Sequence, residues 1–82
     1  MREITLYGRP GCHLCDEARA TIVALREEGD RFELREVDIE ADEELMRTFL
    51  ERIPVVAMEG EIVSELVLDR DALRARLDTV RA

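Results

Sequence analysis

Two cysteines three residues apart, Cys12 and Cys15, constrain the fold of this 82-residue chain more than any other feature. They follow a short β-prone run at residues 4–7 and a loop at residues 8–11 that contains two glycines and a proline. Directly after them begins an apolar stripe with helical spacing, formed by Leu14, Ala18, Ile22 and Leu25. The pair is therefore predicted to lie where a strand and loop open a helix, with both side chains on one side of that helix.

A second strand and a second helix follow in the pattern. Residues 32–39 predict a strand whose uneven apolar alternation favours an edge position or a bulge. The acidic segment at residues 41–44 suits the positive end of a helix, which therefore opens there. Its apolar face is formed by Leu45, Phe49 and Ile53. Pro54 disfavours helical geometry at the residue before it, so this helix stops at Ile53.

The last third of the chain predicts a hairpin and a helix. The wholly apolar run at residues 55–58 is typical of a buried strand, and the Glu-Gly pair at residues 59–60 signals a tight turn. Residues 61–66 then return as an antiparallel strand. Asp69 is a suitable N-cap for a helix whose apolar stripe is formed by Leu73, Leu77 and Val80.

The resulting element order, β-α-β-α-β-β-α, predicts an α/β fold in one domain that spans residues 1–82. A β-α-β start implies two parallel strands joined by a right-handed crossover. The hairpin adds two antiparallel strands, so we expect a four-stranded mixed sheet with helices on both faces.

Charge and cysteine content narrow the classes of function. The formal net charge is −8, and an acidic surface repels phosphate backbones and anionic lipid, so we expect neither nucleic-acid nor membrane binding. No apolar run approaches transmembrane length, and the N-terminal run lacks the long apolar stretch of a signal peptide. Two neighbouring cysteines are no disulfide framework, which indicates a reducing cytoplasm and a redox or metal role for the pair. We expect a monomer.

The placement of the cysteines predicts different roles for them. Cys12 lies at the helix start, where unpaired backbone N–H groups and the helix dipole favour a thiolate. Cys15 lies one turn inside the helix and is less exposed. We therefore expect Cys12 to attack a disulfide and Cys15 to resolve the mixed disulfide in an intramolecular step.

Four side chains beside the cysteines have open interpretations. Arg9 either adds positive charge near the Cys12 thiolate or is a solvated loop residue. His13 is interpreted first as an exposed residue at the helix start, next as a group that stabilises the thiolate, and last as a metal ligand. The metal role is last because a tetrahedral zinc site needs a fourth ligand and the chain has no other Cys or His. Asp16 and Glu17 disfavour a thiolate unless they point to water.

Four stretches of the sequence carry a resemblance to a known family. They are residues 6–18 with the motif Cys-His-Leu-Cys, then residues 36–39, 53–56 and 59–60. In this order they resemble the glutaredoxin-like proteins of the thioredoxin superfamily over nearly the whole chain. They are most similar to a small bacterial group with Cys-His-Leu-Cys in place of the usual Cys-Pro-Tyr-Cys. The resemblance implies the thioredoxin-like (glutaredoxin) fold and a thiol–disulfide oxidoreductase that reduces protein or glutathione mixed disulfides.

The resemblance also implies a substrate-binding site around Arg9, His13, Ile53 and Pro54. Pro54 falls where the family has a cis-proline beside the active-site cysteines, and cis bonds are rarely accidental. Such a bond brings the backbone of Ile53 towards Cys12, where it pairs with an extended substrate. Arg9 matches a basic residue that helps to hold a glutathione carboxylate. The implied partners are a disulfide-bearing protein or glutathione, and a reductase or other dithiol donor.

One departure from the family concerns glutathione. Typical glutaredoxins have a Gly-Gly pair after the fourth strand, whereas residues 64–69 here contain no glycine, and Glu65 is expected to repel a carboxylate. Glutathione is therefore only a candidate co-substrate, and we expect no resident cofactor or metal. Two alternatives are a module that carries a metal or iron–sulfur cluster and a non-catalytic adaptor with this fold.

Overall fold

The secondary-structure elements follow the predicted order and confirm the predicted fold class. The computed structural model describes the backbone of residues 2–81 and the side chains of residues 2–78. The elements are β1 (Glu3–Gly8), α1 (His13–Glu27), β2 (Glu33–Asp38), α2 (Glu43–Phe49), β3 (Val55–Met58), β4 (Glu61–Glu65) and α3 (Arg70–Arg81). None of the helices within residues 2–81 is both long and apolar enough to span a membrane.

The four strands form one mixed sheet in the order β2-β1-β3-β4. β1 pairs with β2 in parallel and with β3 antiparallel, and β4 pairs with β3. β2 is therefore an edge strand, one of the two predicted explanations for its uneven pattern. Phe32 precedes this strand and Ile39 follows it, so neither has to obey its alternation. The register irregularity of the sheet lies between Val56 and Ala57 in β3.

The main core lies between one face of the sheet and the helices α1 and α3. Its members are Ile4, Leu6, Ala18, Ile22, Leu25, Phe32, Val56, Met58, Leu73 and Leu77. The prediction that Leu14 starts the buried stripe of α1 was wrong, because Leu14 is 42% exposed. Cys15 is buried in its place, so the buried residues of α1 are Cys15, Ala18, Ile22 and Leu25. Gly29, at φ 114°, follows the end of the helix as predicted.

The second helix is shorter than predicted. A 3₁₀ turn at Ile39–Ala41 precedes it, and Asp42 rather than Ala41 starts it. The carboxylate of Asp42 accepts hydrogen bonds from the amides of Glu44 at 2.8 Å and Leu45 at 3.3 Å. These bonds satisfy donors that the first helical turn leaves unpaired. The helix ends at Phe49, so Ile53 lies in the turn after the helix and not on its apolar face as predicted. The Ile53 side chain is nevertheless buried.

The hairpin and the last helix form at the turn and cap residues that the sequence predicted. Glu59 at φ 53° and Gly60 at φ 84° form the two-residue turn between β3 and β4. β4 ends one residue earlier than predicted, because Leu66 at φ 66° leaves the extended region. The Asp69 carboxylate accepts from the Ala72 amide at 3.1 Å and caps α3. Leu73 and Leu77 are buried, whereas the Val80 side chain lies outside the described residues.

Candidate active site

The two cysteines are joined in a disulfide at the N-terminus of α1. Their Cα atoms are 5.2 Å apart, within the usual range for such a bond. Cys12 is the N-cap residue, and its Sγ accepts a hydrogen bond from the Cys15 amide at 3.2 Å. Cys15 is only 2% exposed, whereas Cys12 is partly exposed. An incoming molecule therefore reaches the Cys12 sulfur first.

Gly8 lies directly beside the buried sulfur of Cys15, and our prediction of its secondary structure was wrong. We predicted it in a loop, but it is the last residue of β1 and pairs with Asp38 of β2. A Cβ atom on Gly8 would lie 2.9 Å from the Sγ of Cys15 and 3.1 Å from its Cβ. Since real Cβ atoms do not approach other atoms this closely, the glycine leaves the room that Cys15 occupies. The sequence feature that could have indicated this close contact is a glycine directly after the predicted first strand.

The segment before β3 meets the cysteines from the other side. The peptide bond between Ile53 and Pro54 is cis, as the family resemblance implied. Both residues are buried, and Ile53 packs in one apolar cluster with Cys15 and Ile39. Partly buried side chains that pack against this cluster are Tyr7, Cys12, Leu45, Met46 and Phe49. The fold thus brings Ile53, which follows Cys15 by 38 residues in the sequence, to the cysteine pair.

The charged groups next to the cysteines are paired with one another. Arg9 Nη1 lies 3.8 Å from Glu40 Oε2, and His13 Nε2 lies 2.8 Å from Glu17 Oε2. Asp16 Oδ1 lies 3.0 Å from Arg19 Nη1. The two acidic residues that disfavour a thiolate at Cys12 therefore have basic partners.

A pocket of about 250 Å³ opens beside Cys15, between α1 and the edge strand β2. Arg19 is one of the residues that line this pocket. Its guanidinium contacts Asp16 on α1 and Glu36 on β2. Hydrogen bonds to Glu36 and to Asp16 raise the pKa of Arg19, so its positive charge is fixed. Sequence reasoning missed this pocket, since the residues that line it are far apart in the chain.

Glu65 does not present the free charge that the sequence suggested. Its carboxylate pairs with the guanidinium of Arg52, the residue before Ile53. The hydrogen bond from Arg52 lowers the pKa of Glu65 and raises the pKa of Arg52. The expected repulsion of a carboxylate by Glu65 is therefore offset by an adjacent cation.

Replacing Arg52 by methionine is expected to raise the pKa of Glu65 towards its ordinary value, because the hydrogen bond that favours the carboxylate is lost. A carbon-detected NMR titration of Glu65 measures this shift. The Arg76→Met variant is the control, since it removes the 2.8 Å contact with Glu61 on the same strand. In the wild type, the stabilisation from the Arg52–Glu65 pair is present above the ordinary carboxyl pKa and is lost as the pH falls through the lowered value. An unchanged Glu65 titration in Arg52→Met would show that the pair does not persist in solution.

Metal ligands are sparse around the site. Within the described part of the chain, no three or more His, Cys, Asp or Glu side chains are grouped so that they could hold a metal ion. The chemistry that this arrangement offers by itself is the making and breaking of the bond between Cys12 and Cys15.

Comparison with known proteins identifies the family. Residues 3–78 match the model of the glutaredoxin-like domain known as DUF836. The chain belongs to this glutaredoxin-like family. A glutaredoxin-like protein of Dictyostelium discoideum, a homologue of YDR286C, is 32% identical over 82 residues, which cover 94% of this chain and 76% of the relative.

Solved structures agree with this membership. Protein Ne2328 of Nitrosomonas europaea is 35% identical to this glutaredoxin-like chain, with a TM-score of 0.81 over 92% of this chain and 89% of that one. A thioredoxin variant of Halobacterium salinarum, 22% identical, has a TM-score of 0.66 over 95% of this chain and 73% of that one. This likeness confirms the predicted thioredoxin-like fold.

Proposed function

We propose that this glutaredoxin-like protein is a dithiol thiol–disulfide oxidoreductase, with Cys12 as nucleophile and Cys15 as resolving cysteine. One observation carries the proposal: the two sulfurs are bonded at the N-terminus of α1, with Cys12 partly exposed and Cys15 buried behind it. The amide of Cys15 that donates to the Cys12 sulfur would also stabilise a thiolate there. Family membership and the fold support a redox role for the pair.

The mechanism runs in two exchanges from the reduced protein. The Cys12 thiolate attacks one sulfur of a substrate disulfide, which forms a mixed disulfide and releases the other substrate sulfur as a thiolate. The Cys15 thiol then loses its proton to water or a base and attacks Cys12 Sγ. The internal disulfide forms and the second substrate thiolate leaves. Two electrons have passed from the protein to the substrate, and an external dithiol donor or reductase restores the reduced pair.

The substrate site in this proposal includes Arg9, His13, Ile53 and Pro54, and the substrate is a protein or glutathione mixed disulfide. Ile53 packs in the same cluster as both cysteines, which supports a role for its backbone in pairing with substrate. Arg9 and His13 are both engaged with carboxylates and would have to exchange partners to bind an anion. We place the activity in a reducing cytoplasm, because the pair must be reduced to act on disulfides.

The test is an equilibrium titration of the wild-type protein in glutathione redox buffers of graded potential, read by intact-mass spectrometry after acid quenching. The expected result is a loss of two hydrogens with a single midpoint, near the glutaredoxin range of about −200 to −230 mV. A protein that stays reduced in the most oxidising buffer would contradict the proposal. A metal or iron–sulfur role would then be examined by visible absorption of anaerobically purified protein.

A further inference from the structure

Three large apolar side chains, Leu14, Leu66 and Val67, lie exposed in the neighbourhood of the cysteines. Leu14 stands between Cys12 and Cys15 in the sequence, and the three side chains are 42%, 50% and 69% exposed. They line one shallow groove, together with Glu17, Ala18, Thr21 and Leu68. We call Leu14, Leu66 and Val67 the apolar rim.

Two hydrogen bonds fix the backbone of Leu66 and Val67. The Leu66 amide donates to the Arg52 carbonyl at 3.0 Å, which ties the rim to the residue before Ile53. The Ser64 hydroxyl donates to the Val67 carbonyl at 3.0 Å. Leu66 has a φ of 66°, a left-handed conformation that leucine rarely adopts. A strained backbone beside two exposed apolar side chains motivates a functional explanation for this segment.

The charges around the rim favour one kind of occupant. The basic side chains that flank the cysteines and Ile53 are paired with carboxylates: Arg9 with Glu40, His13 with Glu17, Arg19 with Asp16 and Glu36, and Arg52 with Glu65. A small anionic thiol such as glutathione would have to displace these carboxylates before it could pair with the basic groups. The whole chain carries a formal net charge of −8, which attracts a basic partner and repels an acidic one.

Resting on the proposed function, we propose that the apolar rim docks an extended, basic polypeptide segment that carries the substrate disulfide. An apolar side chain next to the substrate cysteine packs on Leu66 and Val67, and lysines or arginines further out face the acidic surface. Packing on the rim presents the substrate sulfur to Cys12. The protein therefore selects polypeptide disulfides over glutathione disulfides by apolar contact and by charge.

The experiment uses short peptides whose single cysteine is a mixed disulfide with the chromophore 2-nitro-5-thiobenzoate. One peptide has leucines beside the cysteine and lysines outside them, a second replaces the leucines by serines, and a third replaces the lysines by glutamates. The reduced wild-type protein is expected to release the chromophore from the first peptide about tenfold faster than from either other peptide. The corresponding glutathione mixed disulfide is expected to react as slowly as the glutamate peptide.

Variants locate the preference on the rim. Val67→Ser removes one apolar contact, and Leu66→Asn removes another while suiting the left-handed backbone. Each is expected to reduce the preference for leucine over serine peptides several-fold. The control is Ile62→Thr, which alters a side chain that is 45% exposed on β4 and outside the groove. It is expected to keep the full preference.

Failure of the docking proposal is distinct from failure of the proposed function. Hydroxyethyl disulfide, which has neither apolar side chains nor charge, reports the chemistry of the wild-type cysteine pair alone. If the wild type reduces it but shows no preference among the peptides, or if Val67→Ser and Leu66→Asn retain the preference, the docking proposal is overturned. If the wild type reduces none of the disulfides, the proposed function fails as well.

Discussion

Replacement of Cys12 by serine is expected to lower the rate of disulfide reduction to the uncatalysed background, because a hydroxyl at neutral pH does not supply the thiolate that attacks a disulfide. Cys12 is the more exposed member of the pair, and its sulfur accepts a hydrogen bond from the Cys15 amide in the first turn of the helix. The measurement is the steady-state reduction of a small disulfide with a dithiol as the source of electrons. Far-ultraviolet circular dichroism checks that the variant is folded.

The matched control is Cys15→Ser, which removes the other sulfur from the same helix. This variant retains the first exchange, so it is expected to react once and to stop as a mixed disulfide between Cys12 and the substrate. Intact mass then shows the substrate adduct on Cys15→Ser and none on Cys12→Ser. Adducts on Cys12→Ser instead would reverse the assigned roles, although Cys15 is only 2% exposed in the oxidised state.

The elements and the cysteine pair could be predicted from sequence because their signals are local. Helical spacing in α1, the glycine and proline punctuation around it, and the acidic cap of α3 each act within a few neighbouring residues. The roles that we propose for the two cysteines rest on a separation of three residues at a helix start. The edge position of β2 was also readable, since an edge strand tolerates an irregular apolar pattern.

The features that could not be predicted from the sequence depend on contacts between residues that are distant in the chain. The pairing of Arg52 with Glu65 joins the segment before β3 to the end of β4, and that of Arg19 with Glu36 joins α1 to β2. Such pairs depend on the sheet register, which periodicity does not provide. Leu14 lies on the predicted helical stripe but is 42% exposed, because which residue of the first turn meets the sheet depends on how the helix packs and not on its spacing. The exposure of Leu14 is what links the cysteine motif to the apolar rim.

Gly8 is the position where a small substitution is expected to change the redox equilibrium itself. Gly8 is buried in β1, and the left-handed glycines among residues 2–81 are Gly11, Gly29 and Gly60, so its backbone does not require a glycine. The requirement comes from Cys15, whose Sγ would lie 2.9 Å from an added Cβ. In the oxidised protein this sulfur is tethered to Cys12 and cannot rotate away, whereas in the dithiol it can turn about its own Cα–Cβ bond.

Gly8→Ala is therefore expected to destabilise the oxidised form more than the reduced form. Overpacking of this kind costs about 1–3 kcal/mol. If about 1.4 kcal/mol falls on the oxidised form alone, the reduction potential rises by about 30 mV. Glutathione redox titrations of the variant and the wild type measure the potential, and urea unfolding of both redox forms measures where the free energy is lost.

Two further variants separate a contact with sulfur from a general loss of stability. Gly11→Ala adds a Cβ in open space but at a φ of 79°, so its strain is expected to burden both redox forms equally and to leave the potential unchanged. In a Cys15→Ala background the sulfur is absent and only the 3.1 Å approach to the Cβ of residue 15 remains, so the unfolding cost of Gly8→Ala is expected to fall. An undiminished cost in that background, or a potential that does not move, would show that Gly8 is required by the strand and not by the sulfur of Cys15. If the unfolding cost of Gly8→Ala depends on the Cys15 sulfur and the reduction potential rises, the contact between Gly8 and Cys15 contributes to the equilibrium between disulfide and dithiol.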